Sequence, residues 1–278
     1  MAKRERDRSK VRWLTARLFL DNLNSLLRGW LFRIARPDQA SSDLVQPDWV
    51  LLSESLIQVK WREEMKELNE SRFYNMRAGC ERVDSIRLKP GQVFSLRRFF
   101  GAASEAQGFQ AGPVFMNGSL TFSEGGGVCV VASLLFDAAF KANLAILEKH
   151  NHSTDLWGEE RFIHLGGDAT YVYGRRDLKF RNTHRGDIHL RTEFDRDKLQ
   201  LTCRIYSPQA LEYTVRRESA VLEEIAPADT SKALSNEWNI RKGWVVLTRR
   251  YARVRGGQEV LSYEKKEIYN PFFAKKGS

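Results

Sequence analysis

The chain has 278 residues, 42% hydrophobic and 29% charged, enough for one large domain or two small ones with a sizeable core and no need of covalent staples. Its net charge of +10 is concentrated at one end: residues 1–36 carry ten Lys/Arg against three acids, or +7, and the rest is close to balanced. That excludes a nucleic-acid-binding core and leaves a basic N-terminal arm. Three widely spaced cysteines, Cys80, Cys129 and Cys203, form neither a disulfide framework nor a CxxC zinc knuckle.

Residues 1–10 are polar and charged. From Val11 to Ile34 the apolar positions Leu20, Leu23, Leu27, Trp30, Leu31 and Ile34 recur at helical spacing, with Arg17, Asp21, Asn24 and Arg28 opposite. This amphipathic helix either docks on the domain or lies on an anionic membrane surface through the basic residues 3–36. No stretch reaches the roughly 18 apolar residues of a transmembrane helix, and no small-x-small cleavage site follows the arm. The expected location is therefore cytoplasmic or peripherally membrane-associated.

Pro37 to Pro47 has the composition of a linker, so residues 1–47 form an arm and linker and 48–278 the main domain. Asp48 to Asp84 reads as a second helical segment, with Leu56, Val59, Leu68, Phe73, Met76 and Cys80 among its apolar positions. The pattern changes at Pro90-Gly91, a turn signal before a short strand, Val93 to Leu96. Asn117-Gly118 predicts a hairpin pairing Val114–Met116 with Leu120–Phe122.

The stretch EGGGVC then opens an apolar helix from Val128 to about Asn143, followed by a strand over 146–150 that delivers His150-Asn151-His152-Ser153. Beyond Gly166-Gly167 the chain turns largely β. Ala169–Tyr173 and Leu178–Phe180 alternate, Ile188–Phe194 turns back through Asp195–Lys198 into Leu199–Ile205, and Trp244–Tyr269 closes as a long hairpin. Cys203 falls on the apolar phase of its strand and Cys80 within a helix, so both read as core thiols. The fold expected is α+β, with N-terminal helices and a central cysteine-bearing helix packed on a mostly antiparallel sheet.

Cys129 is the residue with chemistry to explain. A helix N-terminus presents unpaired N–H groups and a positive dipole end, both of which favour a thiolate. Gly125, Gly126 and Gly127 allow close backbone approach, and the amides from Gly125 to Val128 are candidates to hold an oxyanion. Residues two apart on a strand share a face, so His150 and His152 are both placed to reach the cysteine. A cysteine with a histidine is the usual thiol-activating pair, with a third group orienting the imidazole. Asp168 is the best-placed carboxylate for that role; Asp155 and Asp177 are weaker candidates. A zinc site of Cys129, His150 and His152, with His164 or water fourth, matches no common zinc spacing, so no metal and no cofactor is expected.

These motifs, with KPGQVFSL and GPVFMNGSL before them and GGDATYVYGRRDLKFRN after, resemble the VanW family over residues 73–207. The resemblance holds at Gly125–Gly127 and Cys129, at His150, His152 and Ser153, at Asp168–Thr170, and at Asp177, Leu178, Phe180, Arg181 and Asn182. It departs at Val130, where the family usually has Gln. What it implies is a bacterial cell-wall role, associated with glycopeptide resistance, and L,D-transpeptidase-type acyl transfer through the cysteine. The implied partner is a cell-wall peptide or precursor. The competing reading is a non-catalytic accessory or binding module for such precursors or for the membrane surface.

Overall fold

The structure, a computed structural model, describes residues 35, 45, 48–63, 66–116, 119–155, 157–210, 213–227, 238–254 and 257–275. The amphipathic helix expected over 11–34 and nearly all of the linker lie outside these. Among the described residues there are three α-helices and several antiparallel sheets, which makes the fold α+β.

Helix α3 (Val128–Lys141) sits at the middle of the core. Every residue from Val128 to Phe140 is buried except Cys129, which is half-buried. A helix apolar all round must be covered on all sides, and three layers do this. On one side lies the four-stranded sheet β1 (Val50–Gln58), β9 (Gln200–Ser207), β8 (Ile188–Asp195) and β2 (Ile86–Leu88), in that order and antiparallel throughout. On another lies α1 (Lys66–Val83), which also packs on β8. The third layer is a C-terminal sheet of β10 (Tyr213–Ile225), β12 (Gly243–Val254) and β13 (Glu259–Tyr269). Smaller pieces, among them the pair β11 (Trp238–Arg241) and β14 (Phe272–Lys275), complete the fold. β3 (Val93–Ser95) leads directly into α2 (Leu96–Phe100) and shares a sheet with β7 (Lys179–Arg181) and β6 (Ala145–Glu148). The hairpin of β4 (Ala111–Met116) and β5 (Ser119–Glu124) precedes α3.

Several expectations hold. The Asn-Gly hairpin pairs Val114 with Thr121 and Phe115 with Leu120. β8 and β9 turn back on each other at Asp195–Gln200, and β12 and β13 form the closing hairpin. Cys80 and Cys203 are 1% and 0% exposed. One expectation is corrected: Asp48–Asp84 is not one helical segment but a strand, β1, and then α1. The alternation of β1 is masked because two of its inward positions are serines. Ser53 donates to the Ala138 carbonyl (2.9 Å) and Ser55 to the Asp137 carboxylate, so the hydroxyls are satisfied against the buried helix. Of the expected strand Ala169–Tyr173, residues 169–171 form no strand and Val172 makes only an isolated bridge to Arg176.

The C-terminal sheet is bound to α3 by polar contacts as well as packing. Arg250 donates through Nη1 to the carbonyls of Phe140 and Leu144, satisfying groups at the helix C-terminus (both 3.0 Å). Arg217 pairs with Asp137 in the middle of the helix (2.6 Å). Burial raises the Asp137 carboxyl, but Arg217 and Lys141 outweigh it and hold it below the usual carboxylate range.

Candidate functional site

The half-exposed face of α3 is its first turn, and Cys129 is the residue on it. The chain enters that turn through Gly125 (φ 73°) and Gly127 (φ 103°), left-handed conformations that only glycine adopts without strain. Gly126 has a different reason. A Cβ there would lie 2.4 Å from the carbonyl carbon of Gly112, so two glycines let β4 pack backbone to backbone on the turn. All three glycines of the run approach other parts of the chain closely, Gly125 at Ala103, Gly126 at Gly112 and Gly127 at Arg72.

The same geometry revises the expected oxyanion donors. The amides of Gly125, Gly126 and Val128 are committed to the carbonyls of Gln110, Ser123 and Gly125. Those of Gly127 and Cys129 have no hydrogen-bond partner among the described residues.

Sγ of Cys129 accepts a hydrogen bond from the Tyr171 amide (3.5 Å) and faces the Tyr171 carbonyl at 3.8 Å. The segment Asp168–Tyr171 is held beside the first turn by Ser133. Its hydroxyl accepts from the Ala169 amide (2.9 Å) and donates to the Cys129 carbonyl (2.8 Å). Ser133 lies four residues after Cys129, on the same helix face, a spacing visible in the sequence but unremarked there. Tyr171 acts through its backbone and left no such signal.

His152 is the imidazole that interacts with the thiol: the Cys129 side chain is among the groups that raise its pKa. Its Nδ1 lies 2.7 Å from Oδ2 of Asp168, and the same oxygen accepts the His152 backbone amide, also at 2.7 Å. The ring's edge meets Trp157 in a T-shaped contact, with centroids 5.2 Å apart. Burial alone depresses an imidazole's pKa, but here the hydrogen bonds and charges of Asp168 and Cys129 prevail, and His152 is held well above its ordinary value. Asp168, 6% exposed, is disfavoured as an anion by burial, yet its bonds to His152 and the charge of nearby Lys149 hold its carboxyl below the usual range.

The other candidates sit elsewhere. β6 ends at Glu148, so strand alternation does not extend to His150 and His152, and their rings diverge. His150 bonds Glu148 (3.1 Å), which is itself paired with Lys179 (2.6 Å). Asp177 accepts from Ser95 (2.6 Å) and from the Arg97 amide (3.0 Å) at the start of α2. Asp155 pairs with Arg161 and accepts from Trp244. His164 accepts from Arg217 at 2.8 Å; burial, with that guanidinium, pushes its pKa down to about 4. The four groups of the zinc alternative thus do not converge, and no cluster of metal-binding side chains occurs among the described residues.

One contact to the site comes from far along the chain. Tyr269, at the end of β13, donates its hydroxyl to Oδ1 of Asp168 (2.5 Å) and accepts the Gly166 amide (2.8 Å). Beside it, Lys149 and Glu267 form an ion pair (2.6 Å) with side chains 0% and 1% exposed.

Comparison with known proteins gives a consistent picture. The family described as VanW like protein matches residues 71–206. An uncharacterized protein of Bacillus subtilis (strain 168), YoaR, is 27% identical over 149 residues, covering 54% of this chain and 47% of that protein. The vancomycin B-type resistance protein VanW of Enterococcus faecalis (strain ATCC 700802 / V583) is 31% identical over 114 residues, 41% of this chain and 42% of that protein. The chain thus matches less than half the length of either relative. No solved structure matches it. The matched stretch contains Cys129, His152 and Asp168, and over residues 71–206 the chain is similar to the VanW-like family.

Proposed function

We propose that this chain is a cell-wall-associated protein of the glycopeptide-resistance type that transfers acyl groups between peptidoglycan peptides through Cys129. The observation that carries the reading is the line Cys129–His152–Asp168, in which the imidazole hydrogen-bonds the carboxylate and is raised in pKa by both the carboxylate and the Cys129 side chain. In the first step the thiolate of Cys129 attacks a peptide carbonyl, and a thioester forms as the C–N bond breaks. The imidazolium of His152 gives its proton to the departing amine. In the second step an acceptor amine attacks the thioester, His152 takes the amine's proton, and the C–S bond breaks to release Cys129 as the thiolate, which restores the starting ion pair. Asp168 holds the imidazole in place throughout, and the Cys129 and Gly127 amides are the oxyanion donors that remain open. The name of the enterococcal relative supports the resistance setting.

A stem-peptide donor incubated with the chain is expected to add its acyl mass to the peptide containing Cys129. A supplied amine should release it as the transfer product. No adduct in the unaltered chain, or an equal adduct in Cys129→Ala, would overturn the reading.

Val130 favours a second reading, a binding module without turnover. Its side chain is buried in the core and offers no polar atom beside Cys129 where the family usually has Gln. On that reading Cys129→Ala retains resistance or growth phenotypes, whereas acyl transfer requires that it lose them.

A further inference from the structure

We infer that Tyr269 is a positioning residue for the Cys129–His152 pair: its hydroxyl fixes the Asp168 carboxylate in the rotamer that serves His152, making the C-terminal sheet part of the site. The inference rests on the reading of Cys129 and His152 as the reactive pair. It concerns a residue beyond the 71–206 stretch that the family covers.

Hydrogen bonds to both oxygens fix the direction of the carboxylate. Oδ2 of Asp168 takes two donors from His152, the backbone amide and ring Nδ1. Oδ1 takes the Tyr269 hydroxyl. A carboxylate with partners on both oxygens cannot rotate without breaking one of them, and in a buried setting the broken bond has no water to replace it. The hydroxyl's own direction is fixed in turn. Because it accepts the Gly166 amide, its single proton is directed to Asp168. Tyr269 is 2% exposed.

The phenol is delivered by strand pairing. Past β13 the amide of Asn270 donates to the Ser153 carbonyl (2.7 Å), and the Asn151 side chain donates to the Ile268 carbonyl (2.8 Å). The end of β13 therefore runs along the segment 151–154 that carries His152, with a bridge between Thr154 and Asn270. Two residues earlier on the same strand face, Glu267 receives Lys149, whose ammonium also donates to the Gly166 carbonyl (3.2 Å). One strand thus supplies the hydroxyl for Asp168 and the counter-ion for the lysine beside it.

The test is Tyr269→Phe in the full chain, with two readouts. The first is the titration midpoint of the His152 imidazole, followed by NMR with labelled histidine and assigned by loss of the signal in His152→Asn. The second is the rate of Cys129 alkylation at neutral pH. The midpoint is expected to move down towards that of a free imidazole, and alkylation to slow about tenfold, the scale of one lost charge-assisted hydrogen bond. A merely structural tyrosine would lower the melting temperature and leave the midpoint where it was. A midpoint that stays or rises overturns the inference.

Should Tyr269→Phe fail to fold, the unaltered chain decides. The Tyr269 hydroxyl proton is expected as a slowly exchanging downfield signal, and a hydroxyl in fast exchange with water overturns the inference. Failure of the acyl-transfer reading looks different: Cys129 of the unaltered chain then reacts no faster than free cysteine, whatever Tyr269 does.

Discussion

At the scale of single residues, groups that look alike in the sequence stand in unequal places in the structure. Two histidines sit two apart in HNHS, but only His152 meets the thiol and Asp168, while His150 belongs to Glu148. His152→Ala should therefore slow alkylation of Cys129 by about 100-fold, the lower end of general acid–base contributions, and His150→Ala should leave it nearly unchanged; parallel rate measurements check this. The charge on His152 also makes stability depend on pH. Its folded pKa is raised, so its contribution is complete below the unfolded value, near pH 6.5, and is lost as pH rises through the folded value. Asp168 is depressed, so its contribution is complete above about pH 4 and is lost as pH falls through its folded value. Thermal melts from pH 6 to 9 should therefore show the unaltered chain losing more stability than His152→Gln. Cys129, His152 and Asp168 were legible because each lies in a short motif with its own chemistry. The expectation that His150 and His152 share a face rested on strand alternation, and β6 stops at Glu148.

At the scale of elements, the glycine turn and α3 act as one unit. Gly126→Ala puts a methyl 2.4 Å from the backbone of Gly112, where neither strand nor turn has room to give. The expected loss is about 1–3 kcal/mol or more, read from urea unfolding. The helix itself was legible from its apolar run, and the hairpin before it from Asn-Gly. β1 was not, because its inward serines bond the Ala138 carbonyl and the Asp137 carboxylate of α3, partners that lie more than eighty residues ahead. A strand whose buried face is polar has no period-2 signal to read.

At the scale of the molecule, the sheet β10–β12–β13 closes the site. It supplies Tyr269 to Asp168, Glu267 to Lys149, Arg217 to Asp137 and Arg250 to the end of α3. None of these contacts was visible in the sequence, since each joins residues eighty or more apart with no motif at the C-terminal end. Glu267→Ala leaves a buried ammonium unpaired and should cost about 3–5 kcal/mol, whereas replacing both Lys149 and Glu267 with apolar residues should recover most of that; a double-mutant cycle by urea unfolding measures the difference. The claim on which everything else rests is that the folded chain activates one thiol of three. Cys80 and Cys203 are enclosed, and burial pushes both thiols up, whereas Cys129 lies half-open against an imidazole. The direct measurement is iodoacetamide labelling of the native chain, mapped by mass spectrometry, in the unaltered protein and in His152→Ala. The account predicts rapid modification of Cys129 alone, slowed in His152→Ala, with Cys80 and Cys203 modified only after unfolding. Equal labelling of all three thiols, or a Cys129 rate indifferent to His152, would contradict it.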